Sequence, residues 1–373
     1  MERVKKKTYL FITDTDYMNG KLTGAHRRFL ELVHGISKND NVILVSYEIP
    51  QLDDISVTQY LLENTVRKTI PHHINSLINK CKKLLEIKND IKYDYAISFG
   101  INTSICYKLC GYKNVISLFR EDAIEYQKAI GASSIKIFYF MLQEICAVRM
   151  SNKIIVQCEN DRKRLILRNK KFCKNVDKKV FVQINNANAS WMQPYTREQV
   201  EKSDEKIKIL FVGDFSNERK GHGILLPAVE KLIHDGYDIY LMIAGDGSEL
   251  DKYKELYGKY KEIEFLGRVK DMGRYLSIAD FEIVPSLIDS CPNTVLEALN
   301  AGVAVYGANT GGIPDLLQEK KYLFESNSHS IYCFLKEIIE TRRYIDDAVN
   351  QSKQRKWLQF DWSQRIKDII ENH

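Results

Sequence analysis

Short apolar runs recur along the chain, with longer stretches of helical periodicity between them. In the first half, Tyr9–Thr13, Val42–Tyr47, Tyr95–Phe99, Val115–Phe119, Ile154–Cys158 and Val180–Ile184 predict strands. Nearly every position in these runs is apolar, the pattern of strands covered on both faces of a parallel sheet. Ala25–Ile36 and Asn75–Ile87 carry the period of helices between them. The rhythm restarts in the second half. Strands are expected at Ile207–Val212, Ile239–Ala244, Ile263–Phe265, Phe281–Val284 and Val303–Tyr306, and helices at Gly223–Asp235, Glu249–Tyr257, Thr294–Ala301 and Ser330–Thr341. Two such series imply an α/β chain of two doubly wound domains. The polar stretch Asn185–Glu205 lies between them and reads as a linker. The expected division is residues 1–190, residues 206–355, and a closing helix over 356–373. Open α/β sheets bind ligands beyond the carboxyl ends of their strands, so a cleft between the two domains is the expected site.

The 373 residues suit two domains of ordinary size. No apolar run approaches the roughly 18 residues of a membrane span. The longest apolar segment, Ile135–Met150, is broken by Lys136, Glu144 and Arg149 and predicts a buried or amphipathic helix. No export signal is read at the N-terminus, so the expectation is a cytoplasmic protein with reduced thiols. Its eight cysteines form no Cys-x-x-Cys pair, which argues for apolar filler rather than a metal site. Charge changes the picture more. Residues 1–190 hold 31 Lys and Arg against 19 Asp and Glu, whereas residues 191–373 hold 24 against 30. Nine of the basic residues fall between Arg162 and Lys179. A basic first half suits an acidic partner, and an anionic membrane surface contributes on the order of 1 kcal/mol per nearby Lys or Arg. No recognition motif for nucleic acid accompanies it.

The richest chemistry lies in Val284–Gly312, VPSLIDSCPNTVLEALNAGVAVYGANTGG. A strand ends at Pro285, a loop carries Asp289, and Pro292 opens a helix bearing Glu297. The free N–H groups of Asn293, Thr294 and Val295 at such a helix start would receive an anion, with a diphosphate the natural guest. Glu297, in the next turn, can accept both hydroxyls of a ribose. Asp289 can grip the hydroxyls of a sugar. A second segment, Phe211–Gly221 (FVGDFSNERKG), offers Arg219 and Lys220 as fixed cations for departing phosphates. Ala244–Gly247 (AGDG) lacks the third glycine of a dinucleotide fingerprint, which weakens a NAD-dependent oxidoreductase reading.

The acid-x7-glutamate spacing of Asp289 and Glu297, with PSL before it and LEAL-x-AG and TGGIPDLL after it, resembles the signature of retaining glycosyltransferases of family 4. The resemblance implies an α/β chain of GT-B fold, two facing Rossmann-like domains with a cleft between them. The family's first acid is usually Glu and is Asp289 here. Its strand and loop ending in Lys-Gly is matched by Lys220 and Gly221, but Asp214 stands where the family has Arg, leaving Arg219 as the candidate substitute. Phe265–Val269 (FLGRV) resembles the segment beside the nucleotide base, which places Arg268 near base or phosphates. Asn19–Ala25 (NGKLTGA) resembles the family's Gly-rich first loop, with Gly24 approaching the donor. The family often has a histidine after the Val115–Phe119 strand. This chain reads Phe119-Arg120-Glu121-Asp122 instead, so one of these charged residues is expected to face donor sugar or acceptor.

The implied function is transfer of a sugar from a nucleoside-diphosphate sugar, UDP- or GDP-linked, to a hydroxyl of a lipid-linked or cell-surface glycan with retention. Lys220, Arg219 and the Asn293–Val295 turn would hold the diphosphate, Glu297 the ribose and Asp289 the sugar. Glu121 or Asp122 would serve the acceptor. Neither metal nor cofactor is expected for the reaction. Peripheral contact with the inner face of an anionic membrane is expected from the charge. A nucleotide-sugar epimerase of the same fold and a non-catalytic nucleotide-sugar-binding protein remain as alternatives.

Overall fold

The computed structural model describes residues 6–13, 23–49, 57–62, 72–189 and 206–372. In chain order the elements of the first stretch are β1 (Thr8–Ile12), α1 (Gly24–Ser37), β2 (Asn41–Ser46), β3 (Val57–Leu61), α2 (His72–Ile87), β4 (Tyr95–Phe99), α3 (Ile101–Leu109) and β5 (Val115–Phe119). There follow α4 (Ala123–Ala129), α5 (Ser134–Met150), β6 (Lys153–Val156), α6 (Glu159–Asn169), α7 (Val176–Lys179) and β7 (Val180–Val182). The second series runs β8 (Ile207–Val212), α8 (His222–His234), β9 (Ile239–Ala244), α9 (Leu250–Tyr257), β10 (Ile263–Gly267), α10 (Met272–Ile278), β11 (Phe281–Val284) and α11 (Asn293–Ala301). It closes with β12 (Ala304–Ala308), α12 (Ile313–Leu317), β13 (Leu323–Phe324), α13 (Ser328–Thr341), α14 (Tyr344–Trp357) and α15 (Trp362–Asn372).

The described chain divides into two compact units. One holds residues up to Asp122, Ser134–Ile184 and Asp361 onward; the other holds Ala123–Ser133 and Asn185–Phe360. The first unit is a seven-stranded sheet in the order β3-β2-β1-β4-β5-β6-β7, parallel throughout. Tyr9, Leu10, Phe11 and Ile12 of the central β1 are wholly buried, as a strand covered by helices on both faces must be. Leu10, Ile12, Val45 and Ala96 pack with Leu84 of α2 and Tyr107 of α3 in one core cluster. The sequence pattern did not show β3. Its VTQYL holds no continuous apolar run, it lies at the sheet edge, and none of its side chains is fully buried.

The second unit is a six-stranded parallel sheet in the order β10-β9-β8-β11-β12-β13. Its strands alternate with helices much as the hydrophobic runs predict. Both sheets are Rossmann-like, with the first strand of each series at the point where the strand order reverses.

Two segments belong to the unit formed mainly by the other half of the chain. The short α4 falls inside the first half but packs against the Glu218–Lys220 turn of the second unit. Asn217 donates through its amide to the Tyr126 hydroxyl at 3.3 Å, and the Arg219 guanidinium lies 5.6 Å from the Tyr126 ring. At the other end, α15 packs on α1 in the first unit. Lys153 Nζ donates to the carbonyls of Ile369 and Ile370 at 3.0 and 2.7 Å. These are last-turn carbonyls of α15 without helical partners, where a cation is favoured. The Arg28 guanidinium lies 5.7 Å from the Trp362 ring, which packs this aromatic of α15 onto α1. Of the sequence-defined linker, residues 190–205 lie outside the described residues.

Candidate active site

The site in the second unit starts where β8 ends. Asp214 turns back on its own loop, its Oδ1 accepting from the Ser216 backbone N–H at 2.9 Å and the Ser216 hydroxyl at 2.7 Å. It is exposed and supplies a turn, not a cation. Asn217 then accepts from the Arg219 N–H at 3.1 Å and caps the single 3-10 turn Glu218–Lys220. Gly221 ends that turn at φ +78°, a left-handed conformation that L side chains adopt only with strain. Its α-carbon also lies against the Pro285 carbonyl, with no room for a Cβ. The Leu287 N–H donates to the Arg219 carbonyl at 2.9 Å and ties this loop to the one after β11.

That second loop delivers Asp289. Its carbonyl accepts from the Gly312 N–H at 2.8 Å, and its Oδ1 accepts from the Cys291 N–H at 3.3 Å. On its other oxygen two cations converge: Lys220 Nζ stands 2.6 Å and Arg219 Nη1 3.5 Å from Oδ2. Burial pushes the Asp289 carboxyl up, but the charges of Lys220 and then Arg219 outweigh it and hold the group below its ordinary value. Pro292 precedes α11 and gives no side-chain cap. The N–H groups of Asn293, Thr294 and Val295 belong to the first turn of this helix, where the backbone supplies no i−4 carbonyl. Glu297 is half-buried one turn further on.

Sequence reasoning missed Glu282, in the middle of β11. It is 1% exposed. Its carboxyl is pushed well up, first by burial and then by the charge of Glu297, with Thr294 and Lys220 opposing. A buried acid thus touches the electrostatics of the same helix start. The only available signal was one charged letter in the run FEIV, which reads as a plain core strand. Tyr126 was missed too, because nothing in the sequence places α4 beside Arg219. Arg268 is exposed, directly after β10. That strand edges the sheet, with β9 and β8 between it and β11.

The remaining candidates lie in the first unit. Gly24 is the first residue of α1. The Thr23 hydroxyl there accepts from the His26 N–H at 3.4 Å, while His26 Nδ1 accepts from the Thr23 N–H at 3.2 Å, a reciprocal cap. The rest of the Gly-rich segment, residues 19–22, lies outside the described residues. Arg120, at the end of β5, places its guanidinium 5.0 Å from the Phe99 ring. It also lies near His26, whose imidazole is lowered by burial and then by the Arg120 charge. A histidine therefore does neighbour the end of β5, delivered from α1 and not from the segment after the strand.

Glu121 and Asp122 part company. Glu121 is exposed, whereas Asp122 is buried. Arg168 grips Asp122 with two bonds of 3.0 Å, and Arg164 Nε adds a third at 2.9 Å. Arg168 also reaches Glu144 of α5 at 2.7 Å. Burial pushes the Glu144 carboxyl up in spite of that partner. The network locks α6 to α5 and to the end of β5, so two of the nine basic residues between Arg162 and Lys179, Arg164 and Arg168, serve a structural role here.

Against this geometry the comparisons with known proteins are decisive for the second unit. Residues 206–340 match the family model described as Glycosyl transferases group 1. They form a group 1 glycosyl transferase domain. Protein CapJ of Staphylococcus aureus is 28% identical over 155 residues, covering 40% of this chain and 39% of that protein. The chain thus spans well under two thirds of that relative's length. The UDP-Gal:alpha-D-GlcNAc-diphosphoundecaprenol alpha-1,3-galactosyltransferase of Escherichia coli is 26% identical over 315 residues, 80% of this chain and 77% of that enzyme. The crystal structure of a glycosyltransferase from Rickettsia africae ESF-5 superposes with a TM-score of 0.71 at 18% identity, covering 99% of this chain and 100% of that one. The fold is GT-B, two Rossmann-like domains, as the resemblance implied.

Proposed function

We propose that this chain transfers a hexosyl group from a UDP- or GDP-sugar to a hydroxyl of a lipid-linked or cell-surface glycan, with retention of anomeric configuration. The observation that carries the proposal is the convergence of Lys220 and Arg219 on Asp289 beside the uncapped start of α11. Without donor, Asp289 neutralises Lys220. When a nucleoside diphosphate enters, its phosphates become the better partner for both cations and for the Asn293–Val295 N–H groups. The Asp289 carboxylate is then released to accept from sugar hydroxyls, and Glu297 to accept from the ribose diol. As the glycosidic bond breaks, negative charge grows on the leaving diphosphate, where these fixed groups stabilise it. Protein cations and N–H groups fill that role, so the reaction is proposed to need no metal. Glu121, exposed at the end of β5, is the candidate for the acceptor side; Asp122 has its oxygens committed to Arg164 and Arg168. Gly24 and Arg268 keep their proposed places near the donor.

A lipid-linked acceptor at an anionic membrane surface fits a second observation. Helix α5 leaves Ile135 83%, Phe138 59%, Leu142 47% and Met141 37% exposed. Apolar positions at helical spacing beside basic residues describe a helix that lies in a lipid interface. No helix among the described residues is long and apolar enough to cross a membrane. The proposed location is the cytoplasmic face, and the E. coli relative's printed acceptor, a diphosphoundecaprenol glycan, is of this class.

A panel of UDP-, GDP-, ADP- and dTDP-sugars tests the donor reading by thermal stabilisation and by release of nucleoside diphosphate. A donor at a hundredfold excess over Kd stabilises by about 2.7 kcal/mol, and Glu297→Ala should lose both responses. Stabilisation without any transfer to acceptor lipid or slow hydrolysis would leave a binding protein. No response to any nucleotide sugar would end the proposal. Retention of the protein on anionic liposomes at low salt, weakened by Phe138→Ser with Leu142→Ser, tests the membrane arm separately.

A further inference from the structure

On the flank of the Lys220 turn, three metal-ligating side chains meet that the transfer reaction does not use. His222 opens α8 and is wholly buried. Its ring stacks on Phe215 at 4.3 Å between centroids and takes the edge of Tyr253 at 4.6 Å, so it cannot turn. Its Nδ1 is buried with no hydrogen-bond partner. All its polar contact is through Nε2, which faces Oε2 of Glu218 at 3.4 Å and Oε2 of Glu249 at 3.4 Å. The three ligand atoms lie within 4.8 Å of one another. Glu218 is held in this pose from behind, its Oε1 accepting from the Tyr253 hydroxyl. Lys252 approaches that outer oxygen only to 3.9 Å.

A neutral imidazole has one proton for Nε2 and cannot satisfy two carboxylates with it. At 3.4 Å, neither contact is a good hydrogen bond. The distance is instead the edge of a coordination tetrahedron: ligands about 2.1 Å from zinc stand about 3.4 Å apart. A calcium ion of larger radius would give a similar spacing but does not take imidazole, and the smaller octahedral magnesium would draw the ligands closer. We propose that Glu218, His222 and Glu249 bind a zinc ion, with water in the fourth position. The two carboxylates are 38% and 33% exposed and give that water and the ion a path. The bound ion would join the Glu218–Lys220 turn to the starts of α8 and α9, and so fix the backbone that carries Arg219 and Lys220. Because Nδ1 lacks the outer partner that usually strengthens a ligating histidine, the affinity should fall well below that of a closed structural zinc site. This site is separate from the donor phosphates and does not depend on the transferase reading.

The test is a zinc titration of the full chain, stripped with chelator and kept reduced, against a chromophoric competitor, with melting followed in parallel. Wild type should take up one equivalent more than the Glu218→Gln, Glu249→Gln double variant, and only wild type should gain melting temperature from zinc. The single variants should each lose at least tenfold in affinity while melting like wild type in chelator. Equal stoichiometry and equal melting response in wild type and double variant would overturn the site, and would assign any bound zinc to the chain's thiols.

Discussion

Lys220 Nζ lies 2.6 Å from Asp289 Oδ2 across 69 positions of sequence, the shortest tie between the loop after β8 and the loop after β11. Neither residue is free to do this alone. Gly221 and Pro285 bring the two loops together, and Gly312 fixes the Asp289 backbone. If Lys220 is the cation that receives the leaving diphosphate, Lys220→Ala should lower turnover about 10²- to 10³-fold, the usual cost of one preorganised charge-stabilising group. Arg219→Ala should cost less, because its guanidinium stands further from the same oxygen and is shared with the Tyr126 ring. Release of nucleoside diphosphate under saturating donor measures both. A Lys220→Ala enzyme that turns over within a few-fold of wild type would remove Lys220 from the mechanism.

Gly221 allows a cleaner test of how the loops are held. Gly221 and Gly236 both have positive φ, +78° and +85°, but only Gly221 has backbone where a Cβ would go. Gly236→Ala should cost about 1–2 kcal/mol, the penalty of an L residue in that conformation. Gly221→Ala should cost more, because the Pro285 carbonyl must also move. Turnover should fall only in the Gly221 variant. Equal melting losses in the two proteins would mean that the close approach of the loops contributes nothing.

Much of the fold could be read from the sequence because parallel strands buried on both faces leave unbroken apolar runs. Leu10, Phe11, Leu210 and Ile283 announce their strands this way. An edge strand such as β3 sends a weaker signal, since no residue of VTQYL is fully buried and its apolar letters form no run. The donor-side constellation was legible for a different reason: Asp289, Asn293 and Glu297 are close in sequence and lie on one loop and helix. What could not be read depends on distance along the chain. Asp122 meets Arg164 and Arg168 over 42 and 46 residues, and no local pattern distinguishes it from its neighbour Glu121. His26 beside Arg120 and Tyr126 beside Arg219 are likewise products of the fold.

That distinction between Glu121 and Asp122 makes opposite predictions for adjacent residues. Asp122→Asn leaves Arg164 and Arg168 with a weakened partner inside a buried network, and removing one side of such a pair costs about 3–5 kcal/mol. Its melting temperature should fall sharply, with turnover of the surviving folded protein near normal. Glu121→Gln touches an exposed side chain and should leave melting unchanged, while lowering turnover through the acceptor. Chemical denaturation and acceptor-dependent kinetics on both variants separate the two. A Glu121→Gln enzyme with unaltered acceptor kinetics would take Glu121 out of the site.

Glu282 predicts a pH dependence whose sign follows from its surroundings. Burial and then Glu297 raise its carboxyl well above the ordinary 4.5. The folded state therefore keeps a proton that the unfolded chain has released. Stability from this group is fully present below about pH 4.5 and is lost as pH rises through the folded-state value, at up to about 1.4 kcal/mol per pH unit. Glu282→Gln mimics the protonated acid and cannot titrate. The variant should melt close to wild type near pH 4.5 and progressively above it as pH is raised toward 8, although it has lost a native side chain. Melting curves of the two proteins at several pH values in one buffer series measure the gap directly. A gap that stays constant with pH would show that Glu282 is not raised in the folded state, and that Thr294 and Lys220 at least offset burial and Glu297 at the start of α11.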